Sequence, residues 1–138
     1  MQSLQPNLAH LLSLIGPCGT FEHTEYSRVH VEQNYCTDDV ARALLVSVRE
    51  GNASSDVKEL ATFSLSLLNR AQSFDGRFWN RRTAEGKWSG ASSSDDGWRR
   101  ALWGMGTTMA LSCHKDCRAS VEENSKNFGD ERTSRGGR

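Results

Sequence analysis

The stretch Asn34-Tyr35-Cys36-Thr37-Asp38-Asp39-Val40-Ala41-Arg42-Ala43-Leu44 places two adjacent carboxylates where a polar loop becomes an apolar helix. Carboxylates are favoured there because the positive end of the helix dipole attracts negative charge. The pattern Asp-x-x-x-Arg-Ala-Leu returns as Asp96-Gly97-Trp98-Arg99-Arg100-Ala101-Leu102. A Gly-x-Phe motif precedes each copy, as Gly19-Thr20-Phe21 and Gly76-Arg77-Phe78. The sequence therefore predicts a repeated helix pair with a polar loop at one end.

The spacing of apolar residues predicts four helices, joined alternately by short and long loops. They are expected near residues 7–15, 38–50, 56–73 and 95–111. On the last helix the buried face is predicted to consist of Trp98, Leu102, Met105 and Met109, with Trp103 also in the core. No alternation of apolar and polar residues makes a convincing strand. We therefore predict an all-α fold in which the long loops, 16–37 and 74–94, lie at the same end of the helices.

Composition narrows the class of partner and the compartment. Positive and negative side chains balance at 17 each, so no overall field favours nucleic acid. No apolar run approaches the roughly 20 residues that span a bilayer, and no signal peptide is recognised, so no membrane partner is expected. Four cysteines at irregular spacing are typical of a reducing, cytoplasmic setting. Residues 1–111 are predicted to form the folded domain, and residues 112–138 a polar, disordered tail.

Four sequence blocks together resemble one protein family. They are Gly19-Thr20-Phe21-Glu22-His23, the stretch 34–44, Asp75-Gly76-Arg77-Phe78-x-Asn80, and the stretch 95–103. The set resembles bacterial proteins with a six-hairpin (α/α) toroid, akin to six-hairpin glycosidases and often described as glycosidase- or glycosyltransferase-associated. The resemblance covers roughly residues 8–111. It implies helical hairpins from an incomplete (α/α)6 toroid, here a truncated N-terminal part.

The same resemblance implies a carbohydrate-active domain that binds a sugar at the loop end and is inactive alone. Glycoside hydrolysis uses two carboxylates that flank the scissile bond. The catalytic candidates are Asp38, Asp39, Glu22 and Asp96. The alternative for Asp38 and Asp39 is that they cap and charge a helix start while Arg42 pairs with one of them. Capping is slightly favoured for Asp96.

Aromatic rings beside cationic donors suit a sugar or phosphosugar ligand. All four tryptophans fall between Trp79 and Trp103, among several arginines. Trp79 and Trp88, on a loop, are the better ligand platforms. The predicted substrate-binding residues are His23, Tyr35, Asp75, Arg77, Trp79, Trp88 and Arg100.

No cofactor is indicated, and no metal site. Cys113, His114 and Cys117 lack the second pair of ligands that zinc requires. Three hypotheses for function remain: the carbohydrate-binding domain, a non-catalytic interaction or scaffold module, and a defunct fragment. The predicted partners are a carbohydrate or sugar-containing ligand, with self-association or docking to another helical domain as a further possibility.

Overall fold

The computed structural model describes residues 8–21, 24–25, 28–29, 34–50, 54–111 and 122. Four helices carry most of the described chain: α1 (Ala9–Ser13), α2 (Thr37–Glu50), α3 (Ser55–Ala71) and α4 (Asp96–Leu111). Seven two-residue strands lie between them: β1 (Ile15–Gly16), β2 (Gly19–Thr20), β3 (Thr24–Glu25), β4 (Arg28–Val29), β5 (Tyr35–Cys36), β6 (Arg81–Arg82) and β7 (Trp88–Ser89). The predicted tail, 112–138, lies outside the described residues apart from Glu122.

Helix α2 is the centre of the fold, because it packs against both α3 and α4. Its buried side chains recur at helical spacing on more than one face, as expected for a helix with two neighbours. Leu44 of α2, Leu68 of α3 and Ala101 of α4 are fully buried in one continuous apolar core. Phe78 joins this core from the loop between α3 and α4. The loop that follows α3 is therefore anchored in the core.

The two long loops meet in a small antiparallel sheet. Tyr35 pairs with Arg82, and Cys36 pairs with Arg81, so that the order of strands is β5-β6-β7. The remaining strands form two separate pairs, β1-β2 and β3-β4. The pairing of β5 with β6 confirms that the two loops lie at the same end of the helices.

These strands show that the predicted all-α fold, with helical hairpins from an incomplete (α/α)6 toroid, is wrong. The fold is mixed α/β, with small antiparallel sheets between the helices. The reason is the length of the strands: two residues are too few to produce the alternation of four to eight residues by which a strand is recognised in a sequence. The pairing of β5 with β6 depends instead on a contact between two distant loops, whereas β6 and β7 form a local hairpin.

Only part of the face predicted for α4 is buried: Met105 belongs to the core, and Trp98 and Met109 are partly buried and pack against it. Ala101 and Thr108 are fully buried and Met105 nearly so. Leu102, expected in the core, is 40 % exposed, and Trp103 is 56 % exposed. The error arises because apolar residues occupy both the inner and the outer side of α4, so that periodicity does not single out one face.

Candidate functional site

The beginnings of α2 and α4 are joined by a cluster of two carboxylates and two guanidinium groups, here called the Arg–Asp cluster: Asp38, Asp39, Arg42 and Arg100. Arg100 of α4 donates a short hydrogen bond to Asp38 Oδ2. Arg42 reaches the same oxygen at 3.3 Å and Asp39 Oδ1 at 3.3 Å. The predicted helical pairing of Arg42 is thus confirmed, and it involves both aspartates.

The Arg–Asp cluster contains two negative and two positive side chains, and their interactions shift the pKa of Arg100. The hydrogen bond and the charge of Asp38, followed by the charges of Asp96 and Asp39, raise the pKa of Arg100 above its ordinary value. The second oxygen of Asp38, Oδ1, is buried and has no hydrogen-bond partner within the described part of the chain. One oxygen of Asp38 is therefore inaccessible, while the other is covered by two cations. In this arrangement Asp38 connects the starts of α2 and α4 through the guanidinium groups of Arg42 and Arg100.

Asn80 caps the start of α2, although it comes from a distant part of the chain. Its backbone carbonyl accepts a hydrogen bond from the Thr37 amide at 2.8 Å. Its side-chain oxygen accepts from the Asp38 amide at 3.3 Å and from the Cys36 thiol at 3.6 Å. The Thr37 hydroxyl donates to the carbonyl of Trp79 at 2.6 Å. The first amides of α2, which have no partners inside the helix, are thus satisfied by the loop 74–94.

Beside the start of α2 lies an open recess, here called the loop-end recess, with about 230 Å³ of empty space including its mouth. The residues that line it include Tyr35, Arg82 and Trp88, together with the apolar side chains of Val40, Leu67 and Leu68. The Arg82 guanidinium lies 5.0 Å from the centre of the Trp88 ring, within the range of a cation–π interaction. Arg82 is also fixed by hydrogen bonds to the carbonyls of Gly86 at 2.7 Å and Cys18 at 3.2 Å.

Tyr35 is one of the residues that line the loop-end recess. Its ring stacks on Phe21 with 4.6 Å between the ring centres, and its side chain is almost entirely buried. Burial raises the pKa of the Tyr35 hydroxyl above its ordinary value of 10.0, and the Cys18 thiol acts in the same direction. The recess is therefore bounded by an ordered and neutral aromatic wall on this side.

Asp75 and Arg77 belong to a tight turn. The Ser73 hydroxyl donates to Asp75 Oδ1 at 2.5 Å, and the Arg77 amide donates to the same atom at 3.2 Å. Both hydrogen bonds lower the pKa of Asp75 below its ordinary value, and the bond from Ser73 has the larger effect. The indole of Trp98 donates to the Gly76 carbonyl at 2.9 Å and holds the turn against α4. In this position Asp75 and Arg77 serve the turn itself.

The structure brings some of the predicted site residues together and separates others. Tyr35 and Trp88 line the loop-end recess, whereas Asp38, Asp39 and Arg100 form the Arg–Asp cluster. Asp96 is 71 % exposed and pairs with Arg99 at 3.5 Å, although its charge still acts on Arg100.

Three other predicted residues are not placed in either group. The half-buried Trp79 does not line the loop-end recess and contributes its backbone to the closing of α2. Glu22 and His23 lie outside the described residues.

Sequence reasoning overlooked Asn80 and Arg82 as site residues. Asn80 stands at the end of one quoted block, yet its role depends on a partner 42 residues away, which no local pattern reveals. Arg82 was one of several arginines near the tryptophans.

Two classes of site receive no support from the described residues. Within that part of the chain, no group of three or more His, Cys, Asp or Glu side chains could hold a metal ion. None of the helices described has the length and apolar content needed to cross a bilayer.

Comparisons with protein-family models, with curated proteins and with solved structures found no match to this chain. The resemblance to six-hairpin glycosidases therefore stays an expectation from sequence motifs, and the function has to be argued from the site itself.

Proposed function

We propose that this chain is a non-catalytic carbohydrate-binding domain whose ligand occupies the loop-end recess. The observation that carries the proposal is the meeting of Tyr35, Arg82 and Trp88 in one sheet around an open recess. An aromatic ring suits the apolar face of a sugar, and a guanidinium fork suits hydroxyl or phosphate oxygens. The residues come from two loops that are far apart in sequence.

The size of the recess sets the class of ligand. The 230 Å³ of empty space counts open solvent at the mouth of the recess, and the enclosed part, about 10 Å³, is large enough for about one water molecule. A ligand would therefore lie against the mouth of the recess and contact it through one small ring rather than through an oligosaccharide chain. Arg82 favours a ring that carries an anionic substituent, so a monosaccharide phosphate is the preferred ligand.

We propose a non-catalytic domain because the carboxylates of the Arg–Asp cluster are paired with arginines. A glycosidase needs one carboxyl group to donate a proton and a second to act as base or nucleophile. Asp38 is paired with two arginines, and Asp39 is paired with Arg42. These contacts fit a structural role at the start of α2.

The test is a binding titration that is monitored by calorimetry and by ligand-observed NMR. The probes are glucose, mannose, galactose and their 6-phosphates. At about 0.3 kcal/mol or more for each heavy atom, a monosaccharide should bind with a Kd of roughly millimolar or tighter. The phosphates should bind more tightly than the neutral sugars. Trp88→Ala and Arg82→Gln should each weaken binding about tenfold or more, as expected for the loss of roughly 1.4 kcal/mol.

Trp103→Ala is the matched control, because Trp103 is exposed on α4 and does not line the recess. It should leave sugar binding unchanged. Asp38→Asn should also leave binding unchanged, and no sugar probe or nitrophenyl glycoside should be hydrolysed. Failure of all six probes to bind, or equal losses in Trp88→Ala and Trp103→Ala, would overturn the proposal.

A further inference from the structure

Arg82 carries a positive charge that no acidic side chain neutralises among the described residues. Its guanidinium donates to two main-chain carbonyls, those of Gly86 and Cys18, and lies beside the Trp88 ring. Carbonyl groups and an aromatic ring have no full negative charge. Because a partly buried charge is normally paired, that of Arg82 is available to an anionic ligand. Four other arginines, by contrast, each contact an aspartate: Arg42, Arg77, Arg99 and Arg100.

The rest of the loop-end recess is uncharged. Ten described residues line it, and Arg82 is the only lysine, arginine, aspartate or glutamate among them. Burial raises the pKa of Tyr35, so its hydroxyl adds no negative charge near neutral pH. In such apolar surroundings a hydrogen bond between a guanidinium and an anion is stronger than in water. The mouth of the recess is therefore suited to a ligand that carries one anionic group.

Gly86, in the turn between β6 and β7, holds the Arg82 guanidinium in place. Its carbonyl accepts a hydrogen bond from Arg82 Nε at 2.7 Å. Its φ of +85° lies in the left-handed region, which glycine adopts without strain. A β-carbon at Gly86 would lie 3.0 Å from Cys18 Sγ and 3.4 Å from Arg82 Nη2. Any larger residue at this position would therefore press on both the thiol and the guanidinium.

We propose that Gly86 is the positioning residue through which the loop-end recess selects a phosphate-bearing ligand, because it holds Arg82 with Nη2 free to bind the phosphate group. Arg82 Nε and Nη1 donate to the carbonyls of Gly86 and Cys18, whereas Nη2 makes no hydrogen bond within the described part of the chain. The two N–H groups of Nη2 can donate to phosphate oxygens. This inference rests on the proposed function for the location of the ligand, and it adds the residue that sets the preference for phosphate.

The first experiment titrates the full chain with glucose, glucose 6-phosphate and inorganic phosphate, monitored by calorimetry and by phosphorus NMR. Glucose 6-phosphate should bind about tenfold more tightly than glucose, since hydrogen bonds between charged groups are the stronger kind. Gly86→Ala should reduce this preference about threefold or more, because the added methyl group forces the guanidinium away from its preferred rotamer. The variant should weaken the binding of inorganic phosphate by a similar factor and leave the Kd of glucose unchanged.

Gly90→Ala is the matched control. Gly90 directly follows β7, has a φ of +81°, and would have no atom within 4 Å of an added β-carbon. The substitution therefore introduces the same kind of backbone strain as Gly86→Ala but does not displace Arg82. It should leave the preference for glucose 6-phosphate unchanged. Equal losses in the two glycine variants, or a full preference in Gly86→Ala, would show that Gly86 does not position Arg82 for the ligand.

Arg82→Lys separates the position of the charge from the charge itself, and it tests the proposal without any strain at Gly86. Lysine keeps the positive charge but lacks the planar fork that donates to the Gly86 and Cys18 carbonyls while Nη2 stays free. The variant should lose the preference for glucose 6-phosphate about threefold or more, as Gly86→Ala does. A lysine variant with the full preference would contradict the proposal, because the charge alone would then be sufficient.

The three probes distinguish a failure of this inference from a failure of the sugar-binding proposal. If glucose and glucose 6-phosphate bind with equal Kd, the sugar proposal stands and the role of Gly86 and Arg82 in selecting phosphate is refuted. If inorganic phosphate binds, is weakened by Gly86→Ala and no sugar binds, the inference is supported and the sugar proposal fails. If neither inorganic phosphate nor glucose 6-phosphate binds, Arg82 is not an anion-binding group and the inference is wrong.

Discussion

Gly97, in the first turn of α4, lies directly against the carboxamide of Asn80. A β-carbon at Gly97 would come within 2.8 Å of Asn80 Oδ1 and 3.2 Å of Asn80 Cγ. The same oxygen accepts the hydrogen bond from the Asp38 amide at the start of α2. The Asn80 side chain therefore lies between the beginnings of two helices, and the residue at position 97 decides whether it fits.

Gly97→Ala should destabilise the protein, even though alanine is the better helix former. The added methyl group must displace Asn80, and overpacking of this kind costs about 1–3 kcal/mol. The measurement is the free energy of unfolding from urea denaturation at low protein concentration. Gly106→Ala is the control: it adds the same methyl group to the same helix in open space, and should stabilise the protein by about 0.5–1 kcal/mol. An equal gain in both variants would contradict the contact.

Asn80→Ala should lower the free energy of unfolding by about 1 kcal/mol, the usual effect of removing a side-chain cap from a helix amide. It should also relieve the clash of Gly97→Ala, so that the second substitution costs far less in the Asn80→Ala background. Ser54→Ala, which removes the cap of α3 at Val57, is the control. Its effect should add to that of Gly97→Ala within about 0.5 kcal/mol. Additive effects of Gly97→Ala and Asn80→Ala would argue against a shared contact.

The turn at Asp75 should contribute a pH-dependent part of the stability. The folded pKa of Asp75 lies below its ordinary value of 3.8, so folding favours the ionised form. The contribution is fully present above the ordinary value and is lost as the pH falls through the folded pKa. Carboxyl-detected NMR titration should show Asp75 ionising at lower pH than 3.8. Ser73→Ala, which removes the main cause, should move the pKa back upwards. An unchanged pKa in this variant would refute the assigned cause.

Tyr35 should give the opposite dependence at alkaline pH. Its folded pKa is above the ordinary value of 10.0, so its contribution to stability is complete below that pH and is lost as the pH rises through the folded pKa. The chain has two tyrosines, and Tyr35→Phe leaves one. The difference between the ultraviolet titration curves of the two proteins isolates Tyr35. Ionisation of Tyr35 at or below pH 10.0 would show that its hydroxyl is not buried as described.

The three long helices were predictable because each carries an apolar stripe at helical spacing and has clear start signals. Thr37–Glu50, Ser55–Ala71 and Asp96–Leu111 lie close to the predicted ranges. The strands were not predictable. The strand Tyr35–Cys36 is stabilised by its pairing with Arg81–Arg82 and not by a pattern in its own sequence. On α4 the prediction was correct for Met105 and Met109 and wrong for Trp103. The helix is apolar on both sides, so the position of α2 decides which side is buried.

The candidate site was predictable only where it is local. The pairing of Arg42 with Asp38 and Asp39 follows from helical spacing. The bond from Arg100 to Asp38 joins residues 62 positions apart, and the repeated Asp-x-x-x-Arg pattern gave no indication that the arginine of the second copy would bind the aspartate of the first. The capping of α2 by Asn80 is equally non-local.

The capping of α2 by Asn80 has a consequence for the order in which the chain folds. The amides of Thr37 and Asp38 find their acceptors only when the segment around Asn80 arrives from 42 residues downstream. Contacts that close such long loops carry an entropic cost before they contribute stability, so they tend to form late. The middle of α2 can assemble early against α3, whereas its first turn waits for the β6–β7 hairpin. In native-state hydrogen exchange, the amides of Thr37 and Asp38 should therefore open together with those of the hairpin, as one cooperative unit distinct from the rest of their own helix.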